Sequence, residues 1–210
     1  MRNLIIILAL ILLPGCKTWR WGDTYHYFIE QGQHSDFLCP SLIKGTKVWG
    51  GEMILTFDPT KMIDTIGNFS YWNKLGGMMP DLTDNWIPGK HQSARAAWRI
   101  DPPVLDSVYL GYVVYVWGFE TANRGYLLTD KGERIAVPVG EPFTVFVQKY
   151  AGWWGVVAEY GGKEAYVKVL DDRLKRERFM VAMDPWYGGE PGAPTNIDIT
   201  LKIKDTNWLY

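Results

Sequence analysis

Outside its first sixteen residues the chain nowhere sustains an apolar repeat of about 3.6 residues beyond a turn or two, so it cannot build long amphipathic helices. It offers short runs rich in Val, Ile, Tyr, Trp and Thr, separated by turns of Gly, Pro, Asp and Asn. Such runs fall at 24–30, 47–57, 68–74, 91–100, 107–117, 126–129, 143–150, 153–160, 164–170, 179–183 and 197–204. Many short strands with almost no helix predict an all-β chain: a two-sheet antiparallel β-sandwich of jelly-roll type. No internal repeat is present.

A chain of 210 residues, 47% hydrophobic and 21% charged, can bury one core of that kind. Its net charge of −1 gives no general attraction to nucleic acid, whose binders carry a clustered basic excess, so nucleic acid is not an expected partner. Eleven Trp among 15% aromatic residues are mostly accounted for by strand packing, and the remainder are candidates for a sugar-stacking surface.

Arg2, the apolar run 4–13 and the ending Leu13-Pro14-Gly15-Cys16 read as an N-terminal targeting segment. Its ten apolar residues fall short of the roughly 20 that a bilayer span needs. The ending resembles a bacterial lipoprotein signal, in which the cysteine is acylated and becomes the mature N-terminus. That resemblance implies lipidation at Cys16, a tether over 17–23, a single domain over 24–210 and a lipid anchor in a bacterial cell envelope, with the outer membrane the expected site. An ordinary secretory signal with an incidental cysteine is the alternative. With Cys16 lipidated, Cys39 is the one thiol left and no intramolecular disulfide can form. His26, His34 and His91 lie too far apart in sequence to suggest a metal cluster, so neither metal nor cofactor is expected.

The chemistry concentrates between Trp72 and Trp117. On a strand, Ser93, Arg95, Ala97 and Arg99 point one way, and Gln92, Ala94, Ala96 and Trp98 the other. One face is therefore apolar, and the other carries a hydroxyl and two guanidinium groups. Arginine forks onto carboxylates, so a row of arginines beside tyrosines suits an acidic sugar. The tyrosines that follow are spaced by three, which puts Tyr109 and Tyr115 on one face and Tyr112 with Val114 on the other. Residues 76–89, with three Gly, two Pro and three Asp or Asn, read as a long loop. Gly50-Gly51 suggests a bulge or bend inside its strand.

The order of these pieces resembles the concanavalin-like jelly-roll proteins, and most closely the alginate and polyuronate lyases of polysaccharide lyase family fourteen. The positions that carry the likeness are Lys74, Ser93, Arg95, Trp98-Arg99, the tyrosines 109, 112 and 115, and Tyr187-Gly188-Gly189 with Ala193-Pro194. It spans roughly residues 68–201. Two features depart from the family pattern: Gly76-Gly77-Met78-Met79 intervene before Pro80, and the tyrosines are three apart where the family often has Tyr-x-Tyr. The resemblance implies β-elimination of a polyuronate such as alginate, by a monomer, with Lys74, Ser93, Arg95, Tyr112 and Tyr109 catalytic and His91, Arg99 and Tyr115 binding substrate. Arg95, with Arg99, would neutralise the sugar carboxylate, and Lys74 with Tyr112 or Tyr109 would move protons. Ammonium and phenol groups ordinarily titrate at about 10, so clustered positive charge must lower one of them. His91 is a second candidate base.

Each residue also has an ordinary role open to it: ion pairs for Arg95 and Arg99, an exposed strand edge for Lys74, sheet packing for the tyrosines. Three rival functions compete, one of them a purely structural envelope component. A non-catalytic glycan-binding surface lipoprotein would use the same sheet, with aromatics stacking on sugars. A glycoside hydrolase needs two carboxylates about 5–9 Å apart, and Glu159 and Glu164, set opposite each other by a Gly161-Gly162 turn, are the best pair. Ser-hydrolase elbows, phosphate-cradling glycine loops and helical zinc motifs are absent from the sequence.

Overall fold

The computed structural model describes residues 22–35, 42–44, 48–62, 72–80, 92–101, 104–116, 122–171, 179–188 and 192–204. Among them every regular element is a strand, and the strands form two antiparallel sheets packed face to face as a jelly-roll sandwich. In chain order they are β1 (Thr24–Ile29), β2 (Leu42–Lys44), β3 (Val48–Phe57), β4 (Asn73–Met79), β5 (Ser93–Asp101), β6 (Val104–Tyr115) and β7 (Ala122–Tyr126). Then come β8 (Ala136–Pro138), β9 (Pro142–Tyr150), β10 (Trp153–Tyr160), β11 (Lys163–Leu170), β12 (Phe179–Met183) and β13 (Ile197–Ile203). The first sheet runs β1-β13-β3-β9-β10-β11 and the second β2-β12-β4-β5-β6-β7, with β8 paired to the early half of β6.

Period-two sequence patterns explain most of this. In β13, Ile197, Ile199, Leu201 and Ile203 are buried while Asp198 and Lys202 face out, and β1 alternates in the same way through Tyr25, Tyr27 and Ile29. Fully burying one such side chain contributes about 1.5–3 kcal/mol, so a one-residue slip that turned the set outward would be prohibitive. The core between the sheets joins Met53, Leu55 and Phe57 of β3 to Ala94, Ala96 and Trp98 of β5 and to Val108, Leu110 and Val114 of β6. Across it, the Trp98 and Phe57 rings stack at 5.3 Å.

Two glycine pairs read from sequence as turn or bulge signals lie inside strands instead. Gly76 and Gly77 belong to β4, so that strand continues to Met79 where a loop was expected from residue 76. A Cβ at Gly76, whose φ is +131°, would sit 2.4 Å from the Trp49 indole, and one at Gly77 would sit 2.1 Å from the Ala94 carbonyl oxygen. The glycines thus serve close approach within the sandwich. The expected bulge at Gly50-Gly51 is absent, because β3 pairs with β9 and β13 in unbroken register there. The shift occurs in β4, between Lys74 and Gly76. Other differences are smaller: β2 and β8 were not anticipated, β6 begins at Val104, and in place of a strand at 126–129 the chain has β7 ending at Tyr126, followed by an isolated bridge between Leu128 and Arg134.

Candidate functional site

The outward face of the second sheet collects most of the anticipated residues. In β5, Ala94, Ala96, Trp98 and Ile100 enter the core, so Ser93, Arg95, Ala97, Arg99 and Asp101 point away from it. Antiparallel partners share a face, and register places Tyr115 beside Ser93, Val113 beside Arg95 and Tyr109 beside Arg99. On the next strand Arg124 stands beside Val113 and Tyr126 beside Gly111; on the other side Lys74 stands beside Ala97. Lys74 points outward while its neighbour Leu75 is wholly buried in the core, and the irregularity at Leu75 resets the alternation before Gly77 meets Arg95. Such irregularities commonly re-aim one side chain at a site.

Within this face the side chains fall into two groups. The first is cationic: Lys74 of β4, Arg95 of β5 and Arg124 of β7, with Tyr115 and Asp184 near Arg95. Burial, followed by the charges of Arg95 and Arg124, pushes the Lys74 amine down to about 8. Burial also lowers Arg95, to about 10, against the opposing influence of Tyr115 and Asp184; it remains a cation at neutral pH. Its Nε is buried without a hydrogen-bond partner among the described residues. None of the five ion pairs found among the described residues consumes Lys74, Arg95 or Arg124. Ser93 is wholly buried beside this group.

The second group is ion-paired within itself. Asp101 meets Arg99 at 2.8 Å, a charge contact off the hydrogen-bond axis, and accepts a hydrogen bond from Arg134 at 2.8 Å and another from the Tyr126 hydroxyl. Burial and the bond to Asp101 raise the Tyr126 phenol above its ordinary value. Arg99 also lies over the Trp72 and Tyr126 rings, and Arg134 lies 3.7 Å from the centre of the Tyr126 ring and 5.7 Å from that of Tyr109. The Trp72 indole rests on Gly111, where a Cβ would come within 2.1 Å of it. This assembly braces the sheet and occupies Arg99, so a role for Arg99 in holding substrate is not what its surroundings favour.

Tyr112 does not join either group. It pairs with Ala96 and packs on the core side of the sheet, as its three-residue offset from Tyr109 and Tyr115 requires. Tyr109 faces outward, edge-on to Tyr126 at 6.1 Å. Of the three phenols, Tyr115 is the one beside Arg95. His91 and Cys16 lie outside the described residues. Arg124, Asp101, Arg134 and Asp184 were not singled out from the sequence. Asp101 was legible in principle, since it shares a face with Arg99 by simple alternation.

The late aromatic-glycine turn is joined directly to the lysine strand. Lys74 and Trp186 exchange both backbone hydrogen bonds, at 2.8 and 2.9 Å, and Gly188 N donates to Asn73 Oδ1 at 2.9 Å. Tyr187 is buried, and burial pushes its phenol up to about 12. The carboxylates Glu159 and Glu164 are indeed direct partners across the β10–β11 hairpin, but they are exposed at its tip in the other sheet. No third acidic residue joins them among the described residues.

No protein-family model matches the sequence, and comparison with curated proteins finds no relative. Solved structures share the fold. The structure of an alginate lyase mutant, Aly36B, in complex with an alginate tetrasaccharide superposes with a TM-score of 0.53 at 10% identity, over 87% of this chain and 81% of that one. The alginate lyase from Klebsiella pneumoniae gives a TM-score of 0.47 at 11% identity, over 72% of this chain and 57% of that one, less than two thirds of its length. The alginate lyase from Alteromonas sp. 272 gives 0.37 at 10% identity, over 86% and 70%. The Aly36B structure thus shares the jelly-roll sandwich architecture of this chain.

Proposed function

We propose that the outward face of the second sheet binds an acidic polysaccharide and cleaves it by β-elimination, as the family-fourteen polyuronate lyases do. The observation that carries this reading is the convergence of Lys74, Arg95 and Arg124 from three strands onto one face, with no ion pair among the described residues consuming them. A uronate carboxylate set against Arg95 would have its charge neutralised, which acidifies the carbon next to it. Lys74, as the free amine, would remove that proton; the electron pair forms a carbon–carbon double bond as the glycosidic bond breaks. Tyr115 would give its proton to the departing oxygen, and water would restore both groups. A lysine titrating near 8 is far better matched to this task than an ordinary one. Ser93, beside Tyr115, would position that phenol.

The fold neighbour bound to alginate tetrasaccharide carries a lysine and a tyrosine replaced by alanine, which accords with a lysine and tyrosine pair here. A second reading, binding without catalysis, draws support from Tyr112, whose core-side placement removes one phenol from the proton-moving set. Incubation with alginate and other polyuronates, followed by ultraviolet absorbance of unsaturated products and by reducing-end assay, separates the readings. Absorbance that grows with reducing ends supports elimination. Retained binding with neither signal leaves the binding module, and reducing ends without absorbance indicate hydrolysis. We further propose that Cys16 is acylated and tethers the domain to a bacterial envelope membrane. Unaltered membrane association of a Cys16→Ala variant in fractionated cells would refute that anchor.

A further inference from the structure

Among the described residues, four large hydrophobic side chains are exposed: Phe28, Leu128, Leu170 and Trp186. Only Trp186 adjoins the cationic group. It and Lys74 form a directly opposed, doubly hydrogen-bonded antiparallel pair, so their side chains emerge on the same face. Its indole is 42% exposed, yet it is held in place. One face stacks on the His34 ring at 5.3 Å with 15° between planes. His34 is in turn fixed to Tyr187: its Nδ1 donates to the Tyr187 carbonyl at 3.0 Å, and its own carbonyl accepts from Tyr187 N at 2.7 Å. A buried tyrosine thus anchors a histidine, which backs a tryptophan. An indole kept in the open at hydrophobic cost, with its plane pre-set, is suited to a flat apolar ligand surface.

We infer that Trp186 is a stacking platform for the C–H face of a pyranose ring, defining a subsite next to the one at which Arg95 holds a carboxylate. The inference rests on the proposed acidic-polysaccharide site and adds to it a direction for the chain, from Arg95 across Lys74 towards His34. Trp186 makes no proton transfer; it positions the sugar. Charge reading by Arg95 and ring stacking by Trp186 therefore contribute separately.

The test is calorimetric binding of alginate oligosaccharides of increasing length to the full chain carrying Lys74→Ala, which removes turnover. Adding Trp186→Ala is expected to weaken the longer oligosaccharides about tenfold, equivalent to roughly 1.4 kcal/mol, while Trp186→Tyr retains most of the affinity. His34→Ala, which removes the backing and keeps the indole, is expected to give an intermediate loss. Unchanged melting temperatures would exclude misfolding as the cause. Equal affinity with and without the indole overturns the platform and leaves the acidic-sugar site standing. Failure of the Lys74→Ala parent and the wild type to bind any polyuronate overturns both.

Discussion

Replacing Lys74 by methionine should make the protein more stable, not less. In the unfolded chain the lysine titrates near 10.5, and in the fold near 8, chiefly because burial disfavours its charge and next because Arg95 and Arg124 repel it. Between those two values the unfolded state binds the extra proton, so stability rises with pH across that window. Below it the cost of burying the ammonium is fully present. The interval corresponds to about 3 kcal/mol as an upper limit, lowered by the partial exposure of the side chain. Methionine keeps the length and apolar stem but carries no charge, so a gain of about 1–3 kcal/mol is expected at neutral pH. For a chain of this size that raises the melting temperature by roughly 2–10 °C. Scanning calorimetry of both proteins from about pH 7 to about pH 10.5 should show the gain shrinking as the wild-type lysine loses its proton. A variant no more stable at neutral pH, or a gain that does not change with pH, would refute the claim that Lys74 is held against its own charge.

Other expectations follow from the same face. If elimination occurs, its rate should climb with pH through about 8 as Lys74 is deprotonated, and Lys74→Met should abolish it. Arg95→Ala should weaken acidic-glycan binding on the order of 100-fold while leaving the fold intact, as calorimetry and circular dichroism would show. Tyr112→Phe should leave activity unchanged, because its side chain lies on the core side, whereas Tyr115→Phe should lower initial rates by a factor of about 100 or more. Asp101→Ala should destabilise the fold by roughly 2 kcal/mol in denaturant titration, since it strands Arg99 and Arg134 beside each other.

The parts of this account that depend only on alternation could be read from the sequence. Ser93, Arg95 and Arg99 share a face because a strand has a period of two, and the spacing of the tyrosines by three already separated Tyr112 from the other two. What depends on a partner strand could not. Gly76 and Gly77 look like a turn until Trp49 and the Ala94 carbonyl are found against them. Arg124 lies in Ala-Asn-Arg-Gly, which contains no strong β-former and becomes a strand by pairing with β6. Asp101 precedes Pro102-Pro103, a sequence context that marks only the end of a strand, although its carboxylate closes the network around Arg99. Trp186 is brought beside Lys74 by pairing across 112 residues of chain, which no local pattern encodes.

The arrangement as a whole is tested most directly by a crystal structure of the Lys74→Ala variant soaked with an alginate oligosaccharide. A uronate carboxylate forked onto Arg95, with Tyr115 within hydrogen-bond reach of the glycosidic oxygen, is the result expected. An oligosaccharide seated on the other sheet, against Glu159 and Glu164, would contradict it.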